Sequence, residues 1–148
     1  MTSWPRVMLD TNVYVSAFLS HNPTSPTQEI VDRWQAGQFK LLVSDGLVDE
    51  LTEKLLEFGI APETIVEFLA LLTQLAEWID VPQAAIEQTI VGDADDDVIL
   101  ACAVVGKADF LVTYDPHFEA IGAEYRGIKI VKSLPFLWAL RQHLSLTK

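Results

Sequence analysis

Short apolar runs alternate with longer amphipathic segments along this chain. Apolar runs that end in polar or turn-forming residues predict buried strands at 6–9, 39–43, 110–113 and 128–131. Apolar residues at helical spacing predict helices over 13–19, 27–36, 45–58, 62–78, 98–105 and 134–144. Residues 79–81 are compatible with a short strand, whereas 82–89 show no clear pattern. Strands that alternate with helices indicate an α/β fold, here a three-layer α/β/α sandwich around a central, mostly parallel sheet.

The length and composition are typical of one domain. The chain has 148 residues and half of them are apolar, so we expect a single core and one domain over 1–148. No apolar run approaches the roughly 20 residues of a membrane helix, and we expect no membrane-spanning segment. The N-terminal residues lack a basic region followed by an apolar stretch, and the one cysteine, Cys102, lies in an apolar segment that favours a buried, reduced thiol. These features favour a cytoplasmic protein.

The charge balance restricts the kinds of ligand. A net charge of −11 with a pI near 4.5 argues against tight, metal-free binding to nucleic acid, because affinity for phosphates comes largely from Lys and Arg. Divalent cations can invert the field of an acidic cleft. Metal-dependent hydrolysis of a polyanion therefore stays open.

Four aspartates crowd into five positions immediately before an apolar segment. They are Asp93, Asp95, Asp96 and Asp97. Asp is a good helix N-cap, and its charge is favourable at the positive end of the helix dipole. Carboxylates this close together also share cations. The stretch alone does not decide between a solvated helix start and a metal site.

Other acids are predicted to lie near this stretch. Asp10 and Asp115 follow predicted strands, and the carboxyl ends of parallel strands meet at one edge of a sheet, where α/β proteins place their sites. Glu50, on the helix after the second strand, can supply a fourth carboxylate. An oxygen-rich site suits Mg²⁺ or Mn²⁺. Zinc is disfavoured because the three histidines show no ligand spacing and there is no cysteine pair.

Four motifs follow one another along the chain: VMLDTNV (7–13), VS and EL (43–44 and 50–51), DADDDVILACA (93–103) and ADFLVTYD (108–115). Together they resemble the motifs of PIN-domain proteins, above all the VapC-like ribonucleases that form the toxin components of toxin–antitoxin systems. The similarity covers nearly the whole chain, and four motifs in order with suitable spacing are far more specific than any one of them.

The resemblance implies a metal-dependent endoribonuclease that hydrolyses RNA phosphodiester bonds with one or two Mg²⁺ or Mn²⁺ ions. The acids that match the family's ligands are Asp10, Glu50, Asp96 and Asp115. Asp96 is selected because it stands three residues before Ile99. The resemblance further makes Asp93 an accessory ligand, Asp95 and Asp97 capping or surface residues, and Asn12 and Thr113 polar residues that orient the acids. It also implies an RNA substrate, a cognate antitoxin and a homodimer.

Two other interpretations remain. One is a catalytically inert PIN-like module that binds RNA or protein. The other is a Mg²⁺-dependent phosphatase of the haloacid-dehalogenase type, which normally has a second Asp two residues after the first, where this chain has Asn12. Residues that could touch RNA, but that we expect to be ordinary surface or packing residues, are Tyr14, Lys54, Lys107, His117 and Arg126.

Overall fold

A six-stranded sheet carries the fold in the computed structural model, which describes residues 4–87 and 94–146. The strands are β1 (Arg6–Leu9), β2 (Lys40–Val43), β3 (Glu77–Trp78), β4 (Phe110–Val112), β5 (Glu124–Tyr125) and β6 (Ile128–Val131). Their order across the sheet is β3-β2-β1-β4-β6-β5. All neighbours pair in parallel except β5, which is antiparallel to β6. The predicted mostly parallel sheet is confirmed.

Helices connect the strands and flank the sheet. Within the described residues they are α1 (Thr11–Leu19), α2 (Pro26–Gln35), α3 (Asp45–Glu57), α4 (Pro62–Leu75), α5 (Gln83–Glu87), α6 (Ala94–Val105) and α7 (Ser133–Leu146), with a 3₁₀ helix at Pro116–Ala120. The predicted three-layer α/β/α arrangement is thereby confirmed. No helix in the described parts of the chain is both long enough and apolar enough to cross a bilayer.

The centre of the sheet is the centre of the core. The last three residues of β1 and of β2 are at most 1% exposed. Central strands of a parallel sheet are covered by helices on both faces, which explains why both strands are continuous apolar runs. Cys102, on α6, is buried in the same core as predicted, and burial raises the pKa of its thiol to about 12.

The end of α4 differs from the prediction. The helix stops at Leu75 instead of Trp78, and Glu77–Trp78 forms β3 by pairing with Leu42 and Val43 of β2. The short strand expected at 79–81 thus lies two residues earlier. Helical spacing of apolar residues continues through Trp78, and only the non-local pairing with β2 ends the helix.

Arg6 helps to hold this edge strand. Its guanidinium forms a bidentate ion pair with Glu77 and donates from Nε to the backbone oxygen of Gly106 at 2.9 Å. Bidentate arginine–carboxylate pairs are among the stronger polar contacts. One side chain on β1 therefore links the last turn of α6 to β3, across the intervening β2.

Two helix starts also differ from the prediction. Asp10 caps α1, by accepting a hydrogen bond from the backbone N–H of Thr11, where Thr11 or Asn12 was expected to be the cap. Helix α6 begins at Ala94, whereas the apolar pattern placed its start at Val98. Aspartates are favourable in a first helical turn, so the acidic residues extend the helix beyond its apolar part.

Some short elements were not predicted. They are α5, β5 and the 3₁₀ helix. Each has five residues or fewer, which is too short for a hydrophobic period to appear.

Candidate active site

The candidate site lies where β1 and β4 end side by side. Asp10 directly follows β1, and its backbone N–H donates to the oxygen of Val112, the last residue of β4, at 3.0 Å. Thr113, Tyr114 and Asp115 then continue from β4 at the same edge. Parallel pairing of two neighbouring strands thus brings together side chains that are about a hundred positions apart in the sequence.

Asp10 is a buried carboxylate held by several donors. Its side chain accepts from the Thr11 N–H at 2.7 Å, from the Thr113 hydroxyl at 2.6 Å and from the Asn12 amide at 3.3 Å. Burial raises the pKa of Asp10, and the negative charge of Asp115 acts in the same direction. The bonds from Thr113 and Thr11 lower the pKa but do not cancel the effect of burial. The ionised form of Asp10 therefore lacks full compensation from the protein.

Thr113 and Asn12 each connect the two strand ends. The Thr113 hydroxyl donates to Asp10 and accepts from the Asp115 N–H at 3.0 Å. The Asn12 side chain donates to Asp10 and accepts from the Tyr114 N–H at 3.3 Å. These two residues hold Asp10 in register with the segment that carries Asp115.

Asp96 reaches the same edge from α6. It is 5% exposed, and its Oδ2 lies 2.9 Å from Nδ1 of His117. The same nitrogen lies 3.2 Å from Oδ1 of Asp115, which also accepts the His117 backbone N–H at 2.9 Å. One ligand atom from each of the three residues lies within 4.8 Å of the others.

This donor set fits a divalent cation. Neighbouring ligand atoms around an octahedral Mg²⁺ are about 3 Å apart, since the metal–oxygen bonds are about 2.1 Å long. The two distances from His117 Nδ1 are of that size, and they are also those of hydrogen bonds between the imidazole and the two carboxylates. Two carboxylates and one imidazole make a mixed oxygen and nitrogen set, which Mn²⁺ accepts more readily than Mg²⁺ does.

Glu50 lies on α3, beside the first turn of α1. Its Oε1 pairs with Lys54 Nζ at 3.0 Å, and the same ammonium donates to the Thr11 hydroxyl at 3.0 Å. Glu50 is therefore linked to Asp10 through Lys54 and Thr11, but neither acid belongs to the group formed by Asp96, Asp115 and His117.

The acidic stretch is only partly described. Asp93 and the side chain of Asp95 lie outside the described residues, so the accessory role expected for Asp93 stays a prediction. Asp96 is buried, whereas its neighbour Asp97 is half-buried.

His117 was not among the predicted site residues. Two features point to it in retrospect. His117 stands two residues after Asp115, and Pro116 between them begins the 3₁₀ helix, which brings the imidazole close to the Asp115 carboxylate. Of the other residues weighed as RNA contacts, Tyr14 is a fully buried core residue in edge contact with Phe68.

Comparisons with known proteins bear on the family and the fold of the chain. Residues 6–117, which include Asp10, Glu50, Asp96, Asp115 and His117, match the family of the PIN domain. No curated protein matches the chain significantly. Among solved structures, one chain in the crystal structure of VapBC2 from Rickettsia felis shares the fold with a TM-score of 0.57. In that structure VapBC2 is bound to a DNA fragment from its promoter. The matched chain is 21% identical, and the alignment covers 84% of this chain and 96% of that one. Since the family match spans well over half of the sequence, this chain belongs to the PIN domain family.

Proposed function

We propose that the protein is a Mg²⁺- or Mn²⁺-dependent endoribonuclease and the toxin component of a toxin–antitoxin system. The observation that carries the proposal is the convergence of Asp96, Asp115 and His117 beside the buried Asp10, at the carboxyl edge of the sheet. Membership of the PIN domain family supports nuclease chemistry. The fold shared with VapBC2 supports the toxin–antitoxin part.

In this proposal, Asp10, Asp96 and Asp115 hold the metal, with Glu50 as a fourth carboxylate and His117 as a nitrogen donor. A bound divalent cation supplies Lewis-acid activation of water and neutralises charge that develops on the phosphate. Thr113 and Asn12 keep the Asp10 carboxylate in one orientation through the bonds described above. Lys54, which lies beside Thr11, adds a positive charge at the margin of an otherwise acidic site.

The negative charge of the chain is consistent with two further parts of the proposal. An RNA substrate would approach this surface only once cations have reversed the local field. A basic antitoxin segment would be attracted to the same acidic edge, where an arginine can pair with carboxylates. We expect the protein to act in the cytoplasm, as a homodimer that is held inactive by its antitoxin.

A cleavage assay with single-stranded RNA tests the nuclease proposal. The wild type is incubated with end-labelled RNA and Mg²⁺, Mn²⁺ or EDTA, and the products are separated by size. We expect internal cleavage with either metal and none with EDTA. Asp10→Asn and Asp96→Asn should each abolish cleavage and keep the circular dichroism spectrum, because each removes one proposed ligand charge and little volume.

Asp97→Asn is the matched control, because it makes the same chemical change at the next position of α6. We expect it to remain active. Cleavage that persists in EDTA, or that Asp96→Asn leaves unchanged, would contradict the proposal. RNA binding without cleavage, unaffected by Asp10→Asn and Asp96→Asn, would instead favour an inert binding module.

A further inference from the structure

A second concave feature adjoins the candidate site. A pocket of about 250 Å³ opens between the end of β4, the 3₁₀ helix and the end of β6. The residues that characterise it are Tyr114, Asp115, Phe118, Gly122, Ile130 and Lys132. Asp115 and Thr113 line this pocket and also belong to the hydrogen-bond network of the candidate site, so the two features are continuous.

The pocket combines an apolar interior with a polar rim. Phe118 is buried, and Ile130 is half-buried. Glu119 and Lys132 are both exposed at its margin, where they offer an acceptor and a donor. An apolar cleft with a few polar groups at its edge is the usual form of a site for a small organic ligand.

Tyr114 is the most distinctive residue of this pocket. It is 42% exposed although it is aromatic and lies between two residues of the site network. Its backbone N–H donates to Asn12 at 3.3 Å, so its main chain is fixed relative to Asp10. Exposed aromatic side chains beside a phosphate-processing site are the surfaces on which unpaired RNA bases stack.

We propose that this pocket binds the nucleobase of a nucleotide next to the cleaved phosphate, with Tyr114 as its stacking partner. The inference rests on the proposed function, because it takes RNA as the substrate. The volume is below the range of about 300–1,000 Å³ that drug-sized ligands need, and so suits one base and not a longer segment. Among the lining residues, the positive charge of Lys132 is opposed by those of Asp115 and Glu119, so the base and not the phosphate is what this pocket would recognise.

Nucleotide titrations in the presence of Mg²⁺, followed by NMR, test the pocket without catalysis, because a mononucleotide has no phosphodiester bond to hydrolyse. The probes are the 5′-monophosphates of adenosine, cytidine, guanosine and uridine, with ribose 5-phosphate as the control that lacks a base. The reporters are the backbone amides of Gly122 and Ala123, both of which line the pocket. We expect millimolar nucleotide to shift these amides, and ribose 5-phosphate to leave them in place.

Two variants of Tyr114 test its role. Tyr114→Ala should weaken nucleotide binding roughly fivefold or more, because stacking on an aromatic ring is lost, whereas Tyr114→Phe should retain it. Trp138→Ala is the control: it removes an aromatic residue that is 65% exposed on α7. The pocket assignment is overturned if no nucleotide shifts the two amides, or if ribose 5-phosphate shifts them equally. Equal weakening by Trp138→Ala would overturn the role of Tyr114.

Cleavage of modified RNA separates this inference from the proposed function. An abasic nucleotide on one side of the cleaved bond should lower kcat/KM for the wild type, and have little further effect in Tyr114→Ala. If RNA is cleaved and abasic sites on either side change nothing, the pocket inference fails and the nuclease proposal stands. If no RNA is cleaved with any divalent metal, the nuclease proposal fails, while the nucleotide titration still reports on the pocket.

Discussion

Burial raises the pKa of Asp10 even though hydrogen bonds from Thr113 and Thr11 act in the opposite direction. The ionised carboxylate is therefore less stable in the folded protein than in the unfolded chain. Asp10 therefore contributes to stability while its carboxyl group is protonated, below the ordinary pKa of Asp. This contribution is lost as the pH rises through the higher pKa of the folded state. At neutral pH and without metal, ionised Asp10 destabilises the fold.

Replacing this charge should stabilise the metal-free protein. We expect Asp10→Asn to raise the Tm in EDTA at pH 7, because Asn removes the buried charge and is an equally good N-cap for α1. The gain should be smaller at about pH 4, near the ordinary pKa of Asp, because the raised pKa in the folded state leaves more of the wild-type carboxyl group neutral there. Thermal unfolding followed by circular dichroism at both pH values measures the difference.

Asp49→Asn, at an exposed acid on α3, is the control and should change the Tm little at either pH. A lower Tm for Asp10→Asn at pH 7 in EDTA would show that its hydrogen bonds outweigh its burial. If the Tm rises as expected, stability and activity change in opposite directions at this residue, as is common for acids in functional sites.

At the scale of the elements, α6 explains how one acidic stretch can serve two purposes. Successive residues on a helix point about 100° apart, so consecutive aspartates cannot all face the sheet edge. Asp96 is turned inward to His117, while Asp97 is half-buried. A helix start and a candidate metal ligand therefore coexist, on different residues of the same turn.

The other end of α6 is held by close packing at Gly106. A Cβ atom at this position would lie 2.9 Å from Leu42 Cδ1, 3.0 Å from the Cys102 oxygen and 3.1 Å from Ile79 Cγ1. A contact of 2.9 Å forces the Leu42 side chain to shift, and contacts of 3.0–3.1 Å are tighter than most Cβ atoms make, so the close approach of α6 to β2 favours glycine at this position.

We expect Gly106→Ala to lower the free energy of unfolding by about 1–3 kcal/mol, as other overpacked core substitutions do. Urea denaturation measures the change. Gly37→Asn is a suitable control, since Gly37 has a positive φ of 78° with no atom near its Cβ direction, and Asn tolerates that conformation. If Gly106→Ala costs no more than Gly37→Asn, close packing is not what requires glycine at the end of α6.

At the scale of the whole molecule, we expect charge to couple stability to metal binding. The chain has a net charge of −11, and its candidate site brings several acids together. A cation that binds the folded state and not the unfolded chain stabilises the fold by mass action.

Mn²⁺ at a hundred times its Kd should add about 2.7 kcal/mol of stability. For a chain of this size the gain corresponds to a rise in Tm of roughly 5–10 °C. Differential scanning fluorimetry with Mn²⁺, against NaCl of equal ionic strength, measures the effect. Asp96→Asn should largely remove the Mn²⁺-dependent part, and an equal rise in wild type and variant would place the bound metal elsewhere.

The amino-acid sequence by itself determined the α/β fold and which acids stand at the ends of strands. The strands at 6–9 and 110–112 can be recognised as continuous apolar runs because helices cover both faces of a parallel sheet. The polar residues that follow these runs must then lie at the sheet edge. The positions of Asp10 and Asp115 could thus be predicted from local pattern and topology alone.

Only the tertiary structure decided which side chains meet. That His117 contacts Asp96 depends on where α6 begins relative to the 3₁₀ helix, and these elements are distant in sequence. The same is true of β3, which ends α4 by pairing with β2, and of the pocket beside Tyr114, which forms between β4 and β6. Local periodicity carries no information about such contacts, because their free energy comes from groups that are brought together only when the chain packs.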